Sequence, residues 1–256
     1  MKPDLEQAHR NAMAQTRGLA NALRRLEMTE HYFDLTGGVV QTGPFLGMQL
    51  LAEVAWGDGD KLPKLLGCYE AELHGVFERL LRREHRRVVN VGAAEGYYAI
   101  GLALKLAQAE VIAFEMNERA QAICRAAAER NGVAGRLRVA GACDLAGLGA
   151  AIAGPGPTLL VMDCEGGEME LLDPARLPAL AQCDIVVECH DFANRSITPL
   201  LIERLAASHR LERIEEGPRD PNRDTWLRTL PSADRWLAVT EGRPETMSWL
   251  VAWAQP

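Results

Sequence analysis

The 256-residue chain has no apolar run approaching the ~18 residues that a membrane span needs. Its first residues, Met1-Lys2-Pro3-Asp4-Leu5-Glu6, carry no apolar stretch of the kind a secretory leader uses, which predicts a cytoplasmic protein with no membrane partner. Cysteines stand at 68, 124, 143, 164, 183 and 189, with no Cys-x-x-Cys pair, so a zinc ribbon is not expected. Several of them fall in strand-like segments, where a free thiol behaves as a small hydrophobe. Basic charge is also short: 28 Lys and Arg against 35 Asp and Glu leave a net charge of −7, which argues against nucleic acid as the main partner. The one basic group, Arg79, Arg82, Arg83, Arg86 and Arg87, reads as the polar face and C-terminal end of a helix. Aromatics make up 5% of the chain, and four of the five Trp (226, 236, 249 and 253) crowd into its last 31 residues. That distribution suggests a regular core followed by a covering C-terminal segment. With 48% apolar and 25% charged residues, the composition excludes a disordered chain and a disulfide miniprotein.

What is present is a change of period. From about Asp4 to Glu27, Leu5, Ala8, Ala12, Thr16, Leu19, Leu23 and Leu26 recur at spacings of three and four, which predicts a helix. That helix packs either on its own core or on a second copy. Turns follow from Thr36 to Gly47, then a loop at Trp56–Asp60 and a helix from Tyr69 to Arg83. From residue 88 short apolar strands alternate with helices. Strands are predicted at 88–91, 110–115, 136–142, 158–163, 184–188, 211–215 and 247–254, with helices at 94–106, 118–131 and 199–208. Such alternation predicts an α/β protein whose parallel sheet is covered on both faces. Residues 88–256 would form the core, and residues 1–87 an N-terminal helical cap and entrance, in one compact unit.

Open sheets of this kind bind ligands beyond the C-terminal ends of their strands. The first strand runs into Asn90-Val91-Gly92-Ala93-Ala94-Glu95-Gly96 and then a helix. Glycines let the backbone turn and approach a ligand closely, and the helix presents N-terminal amides. The second strand ends in Glu115, 19 residues after Gly96, where an acid grips ribose hydroxyls. Asn90, Gly92, Ala93, Glu95, Gly96 and Glu115 are therefore candidate cofactor residues, with Asp144, after the third strand, a candidate for the adenine end. A dinucleotide fingerprint would need glycine at 92, 94 and 97, but the chain has Ala94 and Tyr97. Glu95 is also a poor neighbour for a pyrophosphate and a tolerable one for the cationic S-adenosylmethionine.

Here the sequence resembles class I S-adenosylmethionine-dependent methyltransferases, and more narrowly the FkbM-type family. The resemblance is carried by Pro63–Leu73, Val89–Tyr98, Val161–Glu168 and Ile185–His190, of which the Asp-x-Glu-Gly-x-Glu run is the most specific. It implies a Rossmann-like, seven-stranded, mostly parallel sheet with an antiparallel last strand. It also implies methyl transfer, usually to a hydroxyl of a small molecule such as a sugar or natural product. Where the class often has an acid, this chain has Asn90, which can hydrogen-bond but carries no charge.

The fourth strand ends in Asp163-Cys164-Glu165-Gly166-Gly167-Glu168 and the fifth in Glu188-Cys189-His190-Asp191. Two devices fit these residues. His190, with Asp163, could act as general base for an alcohol acceptor. Alternatively, Asp163, Glu188 and His190 could hold magnesium or manganese. Asp163 also counts among the cofactor candidates. Glu170 reads as a first-turn helix acid, and Glu168 as either that or a site residue. Tyr69 and Glu70 could line the entrance, and Arg243 could face the acceptor or stand exposed in a loop. The rival readings are a nicotinamide-dependent oxidoreductase, disfavoured by the missing glycines, and a non-catalytic S-adenosylmethionine-binding protein, which would not need acids at two strand ends.

Overall fold

A computed structural model describes residues 5–55 and 60–255. Trp56–Gly59, most of the expected loop, lies outside the described residues. Seven strands form one sheet in the order β3-β2-β1-β4-β5-β7-β6. They are β1 (Arg87–Val91), β2 (Glu110–Phe114), β3 (Leu137–Ala140), β4 (Thr158–Met162), β5 (Cys183–Cys189), β6 (His209–Glu215) and β7 (Ser248–Ala254). Strands β1 to β5 pair in parallel, and β7 runs antiparallel to both neighbours, β5 and β6. The architecture is the expected Rossmann-like one.

The central strands β1, β4, β5 and β7 are apolar on both faces because both faces are covered. Successive side chains of a strand point to opposite sides. Accordingly Val88, Leu159, Val186 and Trp249 enter one buried cluster, and Val89, Leu160, Val187 and Leu250 the other. On the first side lie α4 (Tyr97–Lys105) and α5 (Glu118–Arg130), and on the second α6 (Leu145–Ile152) and α8 (Ile197–Leu205). The first cluster also takes in Val40, Phe45, Met48 and Phe77, so the N-terminal segment contributes to the core itself.

Several expected elements differ. The N-terminal helix α1 spans Leu5–Thr36, well past Glu27. Its last turns are held by burial: Met28 and Tyr32 pack with Leu62, Leu65 and Leu66 of α2 (Lys61–Leu66) and with Leu227 and Val239. Trp226 stacks at 4.5 Å on Tyr32, which is one thing the C-terminal segment covers. By contrast, the stripe that predicted the helix faces outward: residues 6–23 are exposed, with Leu19 64% and Leu23 59% accessible. The helix expected over 69–83 is a 3-10 turn, Ala71–Leu73, followed by the shorter α3 (His74–Leu80). Glu70 lies just before it with φ 45°, which no helix accommodates. The basic group is engaged locally, Arg79 with Glu212 and the Trp253 ring, and Arg83 with Asp184. All six cysteines are free.

Candidate active site

Strand order reverses at β1, whose neighbours β2 and β4 carry the chain off in opposite directions. A cleft of about 320 Å³ opens there, lined by Gly92, Glu115, Met116, Cys143, Asp163 and Glu165 among others. Its floor is set by contact between loops. Gly92 has φ 77°, and a β-carbon there would fall 1.5 Å from the carbonyl oxygen of Asp163. The glycine is needed because two strand ends meet.

The loop amides are largely turned inward. Gly92 and Ala93 both donate to the Phe114 carbonyl, and Gly96 donates to Ala93. Ala94 donates to Glu115 Oε2 at 2.8 Å, while Asn117 donates to Oε1 at 2.7 Å. Glu115 thus stitches the β2 end to the loop while remaining part of the cleft wall. Asn90 is buried; its amide donates to the Val161 carbonyl and its Oδ1 has no partner.

Three cofactor candidates stand elsewhere. Glu95 Oε1 accepts a hydrogen bond from the Ala55 amide at 2.7 Å, so it ties down the 52–55 segment and is not part of the cleft lining. Gly96, with φ 92°, is fixed by packing, since a β-carbon would lie 2.6 Å from Cys124 Sγ. Asp144 caps α6 by accepting from Gly147 N at 2.6 Å.

At the next strand ends, the His190 ring is buried among acids. Its Nδ1 lies 3.0 Å from Glu168 Oε1, and its Nε2 lies 3.4 Å from Asp163, 3.7 Å from Glu165 and 4.0 Å from Glu188. Burial opposes the imidazolium, but hydrogen bonds to Asp163 and Glu168 outweigh it and raise His190 to about 10. Among the described residues, Asp163, Glu165 and His190 bring their ligand atoms within 4.8 Å of one another. Glu165, 80% exposed on a left-handed backbone of φ 53°, takes the place expected for Glu188. The Phe192 ring stands 5.8 Å from His190 and is 42% exposed.

Glu188 belongs to a different network. Arg243 binds Glu188, Glu70 and Glu241 together and stacks on Trp249 at 4.7 Å. Tyr98 donates a short hydrogen bond to Glu70, and Arg219 joins Glu241 to Glu72. Arg243 is thus neither an exposed loop residue nor an open anion receptor; its side chain is 11% accessible and shared by three carboxylates. Burial pushes Glu70 up to about 7 and Glu188 up to about 9, although Arg243 pulls both down. Tyr69 packs edge-on to Tyr97 at 5.3 Å, beneath the Lys64 ammonium.

Sequence reasoning missed Glu165, Glu241, Arg219, Glu72 and Tyr98 as members of these networks. The three non-glycine residues with positive φ among the described residues, Glu70, Ala94 and Glu165, all fall in the loops around the site, where strain concentrates.

No family model matches the chain, and no curated protein matches it. Solved structures align with it at low identity. An O-methyltransferase of tomaymycin synthesis from Streptomyces achromogenes, in complex with SAM, is 16% identical over 76% of this chain and 83% of its own, with a TM-score of 0.48. The Bacillus cereus O-methyltransferase in complex with SAH is 16% identical over 73% and 82%, at 0.48. The precorrin-6y C5,15-methyltransferase of Geobacter metallireducens is 15% identical over 71% and 86%, at 0.46. At these values the likeness is one of sheet architecture alone.

Proposed function

We propose that the protein is an S-adenosylmethionine-dependent methyltransferase of FkbM type, acting on a hydroxyl of a small metabolite. The observation that carries this reading is the polarity of the cleft. It gathers Glu115, Asp163 and Glu165, and the amides of Gly92, Ala93, Ala94 and Gly96 are already bonded within the protein. A pyrophosphate would meet carboxylates and few open donors, which counts against a nicotinamide cofactor. A ligand with a cationic sulfonium and ammonium finds complementary charge there. The unpartnered Oδ1 of buried Asn90 is an acceptor of the kind an ammonium group satisfies. Asn90 and Asp163 would hold the amino acid end, with the loop at Gly92 and Ala93 packed against it. Glu115 would hold the ribose through its remaining lone pairs. When bound, the cofactor supplies an electrophilic methyl group.

The chain's own part is to orient the acceptor, exclude water and take a proton. Asp163 and His190, at adjacent strand ends, would align the acceptor hydroxyl and receive its proton, with Phe192 beside them as an apolar wall. Acids at two strand ends exceed what binding alone requires, which favours an enzyme over a non-catalytic binder.

The alternative device is a divalent cation, magnesium or manganese, with His190 Nε2 a ligand in place of its role as base. Asp163, Glu165 and His190 offer two carboxylates and an imidazole, a donor set suited to such ions. Glu188 is left out because Arg243 holds it. Bound there, a cation would lower the pKa of an acceptor hydroxyl.

Isothermal calorimetry with S-adenosylmethionine, S-adenosylhomocysteine and NAD tests the reading. Binding of the first two without the third is expected, followed by labelled methyl transfer to hydroxylated acceptors. Binding of NAD, or no heat with S-adenosylmethionine, would overturn it. Mn(II) titration followed by electron paramagnetic resonance tests the cation, with binding expected in the parent protein and loss in Glu165→Gln.

A further inference from the structure

Glu168 is the most deeply buried acid next to the site, with no accessible surface. The chain after β4 turns through Glu165 and Gly166, both at positive φ, and this turn aims Glu168 back at the end of β5. Glu168 opens a helix of only four residues, α7 (Glu168–Leu171), and its carboxylate bonds none of that helix's amides. Oε2 accepts instead from Gly166 N at 2.9 Å and from Cys164 Sγ at 3.6 Å. Oε1 accepts from the His190 backbone N at 3.2 Å and from His190 Nδ1 at 3.0 Å. Glu168 thus stands in the first turn of α7, as one reading expected, but its carboxylate caps no amide of that helix.

A buried carboxylate is costly unless it is paired, so the His190 contact is what makes Glu168 tolerable there. A carboxylate only accepts, so the nitrogen facing it must carry the proton. That assigns Nδ1–H to Glu168 and leaves Nε2 for Asp163 and Glu165. The two contacts from one oxygen, to the backbone and to the ring of His190, fix the ring's orientation and keep a proton on Nδ1.

We infer that Glu168 is a positioning residue that locks the His190 imidazole so that Nε2, and never Nδ1, faces the reacting centre. The inference rests on the methyltransferase reading only for the meaning of that centre. Outer carboxylates that hold a working histidine in this way typically change activity or metal affinity by about 10- to 100-fold when removed.

The test is nuclear magnetic resonance of the full-length protein labelled with 15N-histidine, the His190 signals being assigned by their absence in His190→Asn. A hydrogen-bonded, slowly exchanging Nδ1–H is expected in the parent protein. It should persist in Glu168→Gln, whose amide oxygen offers the same acceptor, and vanish in Glu168→Ala. If Glu168→Ala does not fold, Glu168→Asp, one methylene short of the ring, is read in its place. An Nδ1–H that survives removal of the carboxylate, or that is absent from the parent, overturns the inference. So does loss of the signal in Glu168→Gln. A failure to bind S-adenosylmethionine would sink the functional reading and leave this measurement standing. Where turnover is measurable, Glu168→Ala should lower kcat about 10- to 100-fold at unchanged cofactor affinity, and Glu168→Gln should recover part of it.

Discussion

The carbonyl oxygen of Asp163 occupies the space beside Gly92 so closely that a β-carbon on residue 92 would lie 1.5 Å from it. Two strand ends are thereby held together by the absence of a side chain. Gly92→Ala must move the β4 end and hold an alanine at φ 77°, where left-handed backbone alone costs about 1–2 kcal/mol. A total loss on the order of 3 kcal/mol is expected, read as a lower urea midpoint at an unchanged slope.

Glu115 makes a second link between neighbouring strand ends, and removing it leaves two amides, Ala94 N and Asn117 N, without their acceptor. Each buried unsatisfied donor costs about 1–3 kcal/mol. Glu115→Ala should therefore both destabilise the fold and weaken S-adenosylmethionine binding by about tenfold or more. Calorimetry at a temperature where the variant is fully folded separates the two effects. Unchanged affinity would remove Glu115 from the cofactor site.

Arg243 is the one cation shared by Glu70, Glu188 and Glu241. Breaking a buried ion network by deleting one partner costs about 3–5 kcal/mol, because the remaining charges lose their compensation. Arg243→Met should show a loss of that size by denaturation. Arg243→Lys should recover little, since one ammonium cannot serve three carboxylates and stack on Trp249 as a planar guanidinium does.

Glu70 gives that network a pH dependence. Burial raises its carboxyl from 4.5 to about 7, against the pull of Arg243 and Tyr98 and with the push of Asp163 and Glu241. The folded state therefore binds the proton more tightly than the unfolded chain. This contribution to stability is complete below about pH 4.5 and is lost as pH rises through about 7. Urea midpoints measured from pH 5 to 8 should decline less steeply for Glu70→Gln than for the parent. Equal slopes would show that Glu70 does not titrate in this window.

Helix α1 predicts self-association. Residues 6–23 of this helix are exposed and carry the Leu and Ala stripe at helical spacing. The stripe is symmetric in sequence: an antiparallel register that sets Ala12 against Leu19 also sets Ala8 against Leu23, small against large each time. A twofold pair of α1 helices is expected by analytical ultracentrifugation, and Leu19→Glu should convert it to monomer. A monomeric parent at high micromolar concentration would end the idea.

Periodicity alone located the strands to within a few residues, most clearly β1, β4, β5 and β7, which are short runs buried on both sides. It also placed Gly92, Glu115, Asp163 and His190 at strand ends, and the structure has each directly after a strand. Local pattern does not encode partners distant in sequence. Glu188 and Arg243 are 55 residues apart, and Glu70 and Arg243 are 173 apart. Nothing near Arg243 signals that its charge is already taken, and a stripe at helical spacing says that a helix forms without saying what it faces. Glu168 was ambiguous for the same reason, its role depending on a ring 22 residues away.

The scarcity of long apolar runs and of paired cysteines, together with the alternation of short strands and helices, determined an α/β sheet with acids at its ligand-binding edge. Those features are local: each strand records its own burial, and each loop its own turn. The tertiary structure decided which acids are open and which are neutralised. It turned Glu95 toward residue 55, closed Arg243 among three carboxylates, and put Glu165 and Glu168 on either side of His190. Charge compensation is set by distance in space, and sequence separation does not report it.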